Sequence, residues 1–88
     1  MLLFEFDPGK STANAAKHGI DFVAAQAIWD DRNRVETERA FYGDEERSCV
    51  IGRIDGKVWT AIVTRRGDRI RLISVRRARI EEARAYIG

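Results

Sequence analysis

A two-residue turn signal in the second half of the chain constrains the fold more than any other feature. Asp55-Gly56 separates two runs rich in apolar and β-branched residues, 47–54 and 57–64. An Asp-Gly pair favours the positive backbone angles of a tight hairpin turn. The two runs are therefore predicted to pair as antiparallel strands.

The remaining elements complete a mixed pattern. We predict a strand over 2–6, helices over 8–18 and 22–29, a strand over 34–40, the two hairpin strands, a turn at 65–68, a strand over 69–75 and a helix over 80–86. Asp7 and Pro8 are typical of a helix start, and Gly19 is typical of a helix end. The order β-α-α-β-β-β-β-α predicts an α+β fold, an antiparallel meander sheet with helices packed on it.

The last strand alternates imperfectly. If side chains alternate strictly, one face of the strand carries Ile70, Leu72 and Ser74. The opposite face then carries Arg69, Arg71, Ile73 and Val75. Since apolar side chains then occur on both faces, the strand is predicted to be covered on both sides and central in the sheet.

The composition is that of an ordinary soluble domain. Eighty-eight residues with 44% hydrophobic and 34% charged content predict one domain over 1–88. The N-terminus lacks the basic region of a signal peptide, and no apolar run is long enough to span a bilayer. Cys49 is alone and is expected to fill the core. Together these features predict a cytoplasmic protein without membrane association.

Charge is divided unevenly between the two halves. Residues 1–46 contain five Lys or Arg against ten Asp or Glu, whereas residues 47–88 contain eleven against four. Of the sixteen basic residues, thirteen are Arg, whose planar guanidinium binds phosphate through two hydrogen bonds. Such asymmetry indicates a polyanion or an oppositely charged partner.

Seven arginines fall within residues 65–79, with Asp68 as the one acid among them. Such charges can serve as solvated edge residues that discourage aggregation. However, like charges at this density repel one another unless an anion neutralises them. We therefore favour a polyanion-binding surface built around the last strand.

The chain resembles the BrnT toxin family of bacterial type II toxin–antitoxin systems. The matching positions are Phe4-Glu5-Phe6-Asp7-Pro8, Lys10, Asn14, Lys17-His18-Gly19-Ile20, Phe22, Ala25, Asp30, Glu46-Arg47, Ile51-Gly52, Thr64-Arg65-Arg66-Gly67-Asp68-Arg69-Ile70-Arg71-Leu72-Ile73-Ser74, Arg76, Ala78 and Tyr86. The match covers nearly the whole chain in order. Two positions depart from the family pattern, Phe6 in place of a tryptophan and Val63 in place of an aromatic residue.

The resemblance implies a RelE-like ribonuclease that cleaves RNA. It further implies a ribbon-helix-helix antitoxin similar to BrnA, a heterotetramer of the two proteins, and contact with operator DNA only through the antitoxin. No cofactor is expected. The Val63 departure raises the question of a weaker grip on RNA, if the usual aromatic residue stacks on a base.

Cleavage of RNA without a metal requires a base, an acid and cations that stabilise the charged phosphorane. No metal-ligand pattern is visible in the sequence. Arg66 and Arg76, at the two ends of the last strand, are predicted to contact the phosphate in the transition state. Three further arginines are predicted to bind RNA: Arg47, Arg69 and Arg77.

Four other residues have two interpretations each. His18 suits acid–base catalysis, yet a histidine in the last turn also complements the helix dipole, as does Lys17, a predicted RNA contact. Glu46 is the candidate general base or a surface ion-pair partner of its neighbouring arginine. Tyr86 is a predicted RNA contact that stacks on a base or donates a proton, although packing on the sheet is the favoured interpretation.

Two other function classes fit the same residues. One is a non-catalytic nucleic-acid binder that acts within an antitoxin complex, and it predicts salt-sensitive binding without cleavage. The other is a protein-interaction module whose arginines bind an acidic partner. The ribonuclease is the leading hypothesis.

Overall fold

A single sheet with helices on both faces organises the chain. The computed structural model describes residues 2–37, 40–42 and 44–87, with the backbone alone for 40–42. The elements are β1 (Leu3–Glu5), α1 (Pro8–His18), a 3-10 helix (Ala24–Asp30), β2 (Val35–Glu36), β3 (Ala40–Tyr42), β4 (Glu45–Ile54), β5 (Lys57–Arg66), β6 (Arg69–Arg77) and α2 (Ile80–Ile87). The α+β class and the two predicted helices at 8–18 and 80–86 are therefore confirmed. No helix in these ranges is both long and apolar enough to cross a bilayer.

The sheet is only partly the predicted antiparallel meander. Its strand order is β1-β6-β5-β4-β2, and β3 also pairs with β4. The β4–β5–β6 meander is confirmed, with Asp55 and Gly56 both at positive φ in the first turn. However, β1 runs parallel to β6, and the central strand is β5, with β6 beside the edge. Turn residues specify only strands that follow one another, and β1 reaches β6 through a long crossover.

Two predicted elements take a different form. The predicted helix over 22–29 is a 3-10 helix, and the Asp21 carboxylate accepts a hydrogen bond from the Ala24 N–H at 2.8 Å near its start. The helix packs tightly on β4, since a Cβ at Gly52 would lie 2.9 Å from the Ile28 side chain. The predicted strand over 34–40 is two short strands, β2 and β3, and residues 38–39 lie outside the described chain.

A one-residue bulge in β6 changes which side chains face the core. Ile62 pairs with Ser74 but Val63 pairs with Leu72, so Ile73 is the extra residue. Beyond it the alternation is reversed, and Val75 lies fully buried in the core. The predicted placement of Val75 with the arginines and of Ser74 with the core residues is therefore wrong. The bulge also puts Arg76 on the same face as Arg71.

The core lies between one face of the sheet, the core face, and the segment that runs from the end of α1 through the 3-10 helix. Side chains from this segment and from alternate strand positions form one cluster: Ile20, Phe22, Ala25, Ile28, Val50, Trp59, Ala61, Val63, Ile70, Leu72 and Val75. Trp59 is 8% exposed within this cluster, and Trp29 packs against it while half-buried. Cys49 is not in the core, because strand alternation directs it to the opposite face, where it is half-buried.

Asn14 joins α1 to the part of β6 that lies beyond the end of β1. Its side-chain amide donates to the carbonyls of Ile20 and Val75, each at 2.8 Å, and its oxygen accepts from the Val75 N–H at 3.1 Å. β1 pairs with β6 only at residues 69–71, so Asn14 continues the hydrogen bonding of that edge where β1 ends. Each polar atom of this buried amide is thus used.

The opposite face is covered in part by α2. Glu82 accepts two hydrogen bonds from the Arg76 guanidinium, at 2.7 and 2.9 Å, and another from Thr60 at 3.1 Å. Tyr86 donates to Asp31 at 2.6 Å, at the start of the link to β2. No described residue of α2 is fully buried, so polar contacts supply much of its attachment.

Replacement of Asn14 by alanine is expected to lower the free energy of unfolding by about 2–4 kcal/mol, because it leaves buried backbone groups of Val75 without partners. Urea unfolding followed by circular dichroism measures the change. Asn33, exposed in a turn, provides the control, and Asn33→Ala should change stability by less than about 0.5 kcal/mol. Equal effects of the two substitutions would contradict the assigned role of Asn14.

The Glu82 contacts also predict a dependence of stability on pH. Hydrogen bonds from Arg76, above all, lower the pKa of Glu82 to about 2 from 4.5. A depressed pKa means that the stabilisation is complete above pH 4.5 and is lost as pH falls towards 2. At neutral pH, we expect the free energy of unfolding of the wild type to be about 2 kcal/mol higher than that of Glu82→Gln. The difference, measured by urea unfolding across pH 2–6, should shrink below pH 4.5, and a constant difference would contradict the ion pair.

Candidate functional site

The face of the sheet opposite the core carries a row of arginines. We call it the arginine face and define it by Arg47, Arg66, Arg69, Arg71 and Arg76. Cross-strand register places Arg66 opposite Arg69, and Thr64 opposite Arg71. These side chains therefore converge at the end of the sheet where β5 turns into β6, whereas Arg76 lies towards the other end.

Glu45 holds two of these arginines together. Its carboxylate accepts hydrogen bonds from Nε and an Nη of Arg47, at 3.2 and 3.1 Å, and lies 3.5 Å from the Arg66 guanidinium. Hydrogen bonding from Arg47, followed by the charge of both arginines, lowers the pKa of Glu45. Glu45 is therefore ionised at neutral pH, and it keeps two positive charges near each other.

A cleft of about 460 Å³ opens beside this cluster. It is lined by Asp44, Glu45, Glu46, Thr64, Arg65 and Arg66. Thr64 fixes its geometry, because the buried hydroxyl donates to the Glu46 carbonyl at 2.7 Å and fastens the start of β4 to β5. The structure thus brings Glu46 and Arg66, both predicted site residues, to one cleft.

Glu45 and Arg71 were not among the predicted site residues. Arg71 donates to Glu5 of β1 at 2.8 Å, and both side chains are about one-quarter exposed, 25% and 27%. A period-two count from Arg47 selects Glu45 rather than Glu46 for the same face, and a count from Arg69 selects Arg71. The signal was therefore present in the sequence once alternation is applied to each strand.

Arg76 lies on the arginine face but in a different environment. It forms the paired hydrogen bonds with Glu82, and the two side chains are 19% and 16% exposed. Thr60, its cross-strand neighbour, is six residues from Arg66 along β5, or about 20 Å. Arg66 and Arg76 therefore do not meet at one phosphate in this structure.

Three other predicted residues lie on the side of the core face. Lys17 and His18 end α1, whose C-cap residue Gly19 leads into the buried Ile20. The Arg77 guanidinium sits over the Trp59 ring, 5.5 Å from its centroid. The roles predicted for these residues stay predictions, and the structure does not bring them to the cleft.

Tyr86 also lies apart from the cleft. Its hydroxyl donates to Asp31, and the Arg53 guanidinium lies 5.5 Å from its ring centroid. The hydrogen bond between the two side chains raises the pKa of Tyr86, as burial also does, and it lowers the pKa of Asp31. Arg53 is six residues from Arg47 along β4, about 20 Å, so the packing interpretation of Tyr86 accounts for its contacts.

Among the described residues, no group of three or more His, Cys, Asp or Glu side chains is arranged to hold a metal ion. The chemistry that the cleft offers is instead that of guanidinium groups beside carboxylates. Guanidinium groups bind and neutralise phosphate oxygens, while carboxylates accept protons.

Comparison with known proteins agrees with this chemistry. A search of curated proteins found no match. The family model described as "Ribonuclease toxin, BrnT, of type II toxin-antitoxin system" matches residues 6–82, which include the cleft, the arginine face and the first turn of α2. The chain thus belongs to the BrnT family of ribonuclease toxins.

Proposed function

We propose that this toxin is a metal-independent endoribonuclease that binds the scissile phosphate at the cleft beside Arg66. The observation that carries the proposal is the cluster of Arg47 and Arg66 around Glu45, next to an open cleft. Such a cluster offers positive charge in a fixed arrangement before RNA arrives, which is what electrostatic stabilisation of a transition state requires.

The reaction is an attack of the ribose 2′-oxygen on the adjacent phosphorus. A base removes the 2′-hydroxyl proton, negative charge builds up on the phosphorane oxygens, and a proton passes to the 5′-oxygen as its bond to phosphorus breaks. The products are a 2′,3′-cyclic phosphate and a 5′-hydroxyl. Guanidinium groups supply the charge stabilisation that a metal ion would otherwise provide.

Arg66 suits this role better than Arg76 because its ion pair is easier to exchange. Its side chain is 55% exposed and its contact with Glu45 is long, at 3.5 Å. Exposed pairs of this kind are worth about 0–1 kcal/mol, so a phosphate can displace the carboxylate at little cost. Release of Arg76 would break short paired hydrogen bonds with the well-buried Glu82, which costs on the order of several kcal/mol.

The two neighbouring carboxylates take separate roles in the proposal. Glu45 orients Arg47 and Arg66, since it contacts both guanidinium groups. Glu46 also lines the cleft, from the face of β4 opposite to that of Glu45, and is the proposed general base. Arg69 and Arg71 extend the positive surface along β6, where they would contact phosphates next to the scissile one.

The family resemblance supports further proposals about the setting. The toxin would have a RelE-like fold, act in the cytoplasm, and be neutralised by a ribbon-helix-helix antitoxin similar to BrnA. The two proteins would form a heterotetramer, in which the antitoxin alone contacts operator DNA.

Arg66→Ala is expected to lower the rate of RNA cleavage about 10²–10³-fold while leaving the fold intact. Arg76→Ala should instead lower the melting temperature, because it leaves Glu82 without its main partner. Arg32→Ala, an exposed arginine near Asp31, is the matched control and should match wild type in both measurements. Cleavage of a labelled RNA and thermal unfolding of each variant provide the data. Wild-type cleavage by Arg66→Ala would contradict the proposal.

Cleavage is expected to continue at the wild-type rate in excess EDTA, because guanidinium groups supply the positive charge. The measurement is a time course on one RNA with and without the chelator, followed by analysis of the product ends. Loss of cleavage that returns on addition of Mg²⁺ or Mn²⁺ would exclude the metal-independent mechanism. Salt-sensitive binding with no cleavage under any condition would favour the non-catalytic alternative.

A further inference from the structure

The outer edge of β1, a strand of three residues, has no pairing strand among the described residues. β1 pairs with β6 on one side and ends the sheet order on the other. Leu2 and Leu3 are 47% and 36% exposed there. Sheet edges in soluble proteins are generally protected by Lys, Pro or a bulge, and residues 2–6 contain neither Lys nor Pro. The one charged side chain of that segment, Glu5, is already paired with Arg71.

An apolar groove of about 540 Å³ runs beside this edge. It is lined by Leu2, Phe4, Val23, Ala24, Gln26, Ala27, Trp29 and Asp30. Phe4 and Trp29 meet edge to face with ring centroids 4.9 Å apart, and Val23 is 65% exposed. A strand that added to β1 would direct alternate side chains into this groove.

The charge around the groove indicates what kind of segment fits it. Of the side chains that the structure describes, Asp30 is the one charged residue that lines the groove, and Asp21 lies two residues before Val23, so the rim of the groove is acidic. A second copy of this chain would bring the same acidic rim to a two-fold contact, and like charges would oppose it. A segment with apolar side chains for the groove and basic side chains for the rim is complementary.

We propose that the antitoxin inserts an extended, apolar and basic segment as an added strand on the free edge of β1, with alternate side chains in the Phe4–Trp29 groove. The main-chain hydrogen bonds of the added strand supply affinity, and the groove supplies specificity. Membership of a type II toxin family identifies the partner as an antitoxin. The free edge, the apolar groove and the acidic rim determine that the bound segment is extended, apolar and basic.

This position also accounts for neutralisation of the toxin, a consequence that rests on the proposed function. Leu3 and Glu5 pair with Arg69 and Arg71, so a strand added to β1 lies two strand spacings, about 10 Å, from β6. Antitoxin residues that follow the added strand are then close enough to cover the arginine face and exclude RNA.

Val23→Lys tests the docking site, because it places a charged side chain in the groove at an exposed position that the fold tolerates. Ile80→Lys is the matched control, since Ile80 is 70% exposed on α2. The probe is the purified cognate antitoxin, titrated by calorimetry into each full-length variant. We expect Val23→Lys to bind at least about tenfold more weakly than wild type and Ile80→Lys to bind within about twofold. Unchanged binding by Val23→Lys would overturn the proposal.

Hydrogen–deuterium exchange provides a second measurement that needs no substitution. In the complex, amides of residues 2–6 and 23–30 should exchange more slowly than in the free toxin. Protection confined to residues 45–71 would overturn the docking site, as would slower exchange at residues 2–6 in concentrated toxin without antitoxin, which would identify a second copy as the occupant. Without antitoxin, Val23→Lys should cleave RNA at the wild-type rate, which would show that the docking site is separate from the nuclease site. A wild type that cleaves no RNA would contradict only the nuclease proposal.

Discussion

The bulge at Ile73 is the constraint on which the arrangement of this protein depends. With strict alternation, Val75 would leave the core and Arg76 would point into it, among the apolar side chains of the core face. An unpaired arginine in that position would cost several kcal/mol, more than a domain of 88 residues can readily offset. The extra residue reverses the alternation once, so that Val75 is buried and Arg76 joins Arg71 on the arginine face.

The ion pairs of the arginine face differ in how deeply they are buried. Arg76 with Glu82 is the most buried pair, Arg71 with Glu5 is intermediate, and Arg66 with Glu45 is the most exposed. The first fixes α2 to the sheet and the second fixes β1 to β6. The third joins the start of β4 to the end of β5, two strands that their backbone pairing already holds together. Because the cost of exchanging a carboxylate for a phosphate rises with burial, RNA can compete best at the Arg66 end.

Local signals in the sequence predicted the elements but not their long-range relations. Asp55-Gly56 and the caps of α1 act through neighbouring backbone atoms, so the hairpin and that helix could be predicted from a few residues. The parallel pairing of β1 depends on contacts more than sixty residues apart, which no turn residue encodes. The bulge is equally hidden, because Ile73 fits either face and only the packing of Val75 decides. In the site, the two-residue period of a strand is enough to predict that Glu45 lies on the same face as Arg47. The distance between Arg66 and Arg76 could be predicted only with knowledge of the register of β5 and β6.

Two exposed surfaces, the apolar Phe4–Trp29 groove and the arginine face, thus lie on the two sides of β1. β1 joins them: Phe4 forms part of the groove, while Glu5 on the other side of the same strand holds Arg71. A partner that adds to β1 would also lie beside Glu5, where a basic side chain would compete with Arg71 for the carboxylate. In the proposed complex, binding at the edge and the pairing of Arg71 would therefore be linked through Glu5. A toxin built this way can be sensitive to its antitoxin without any buried connection between the two sites.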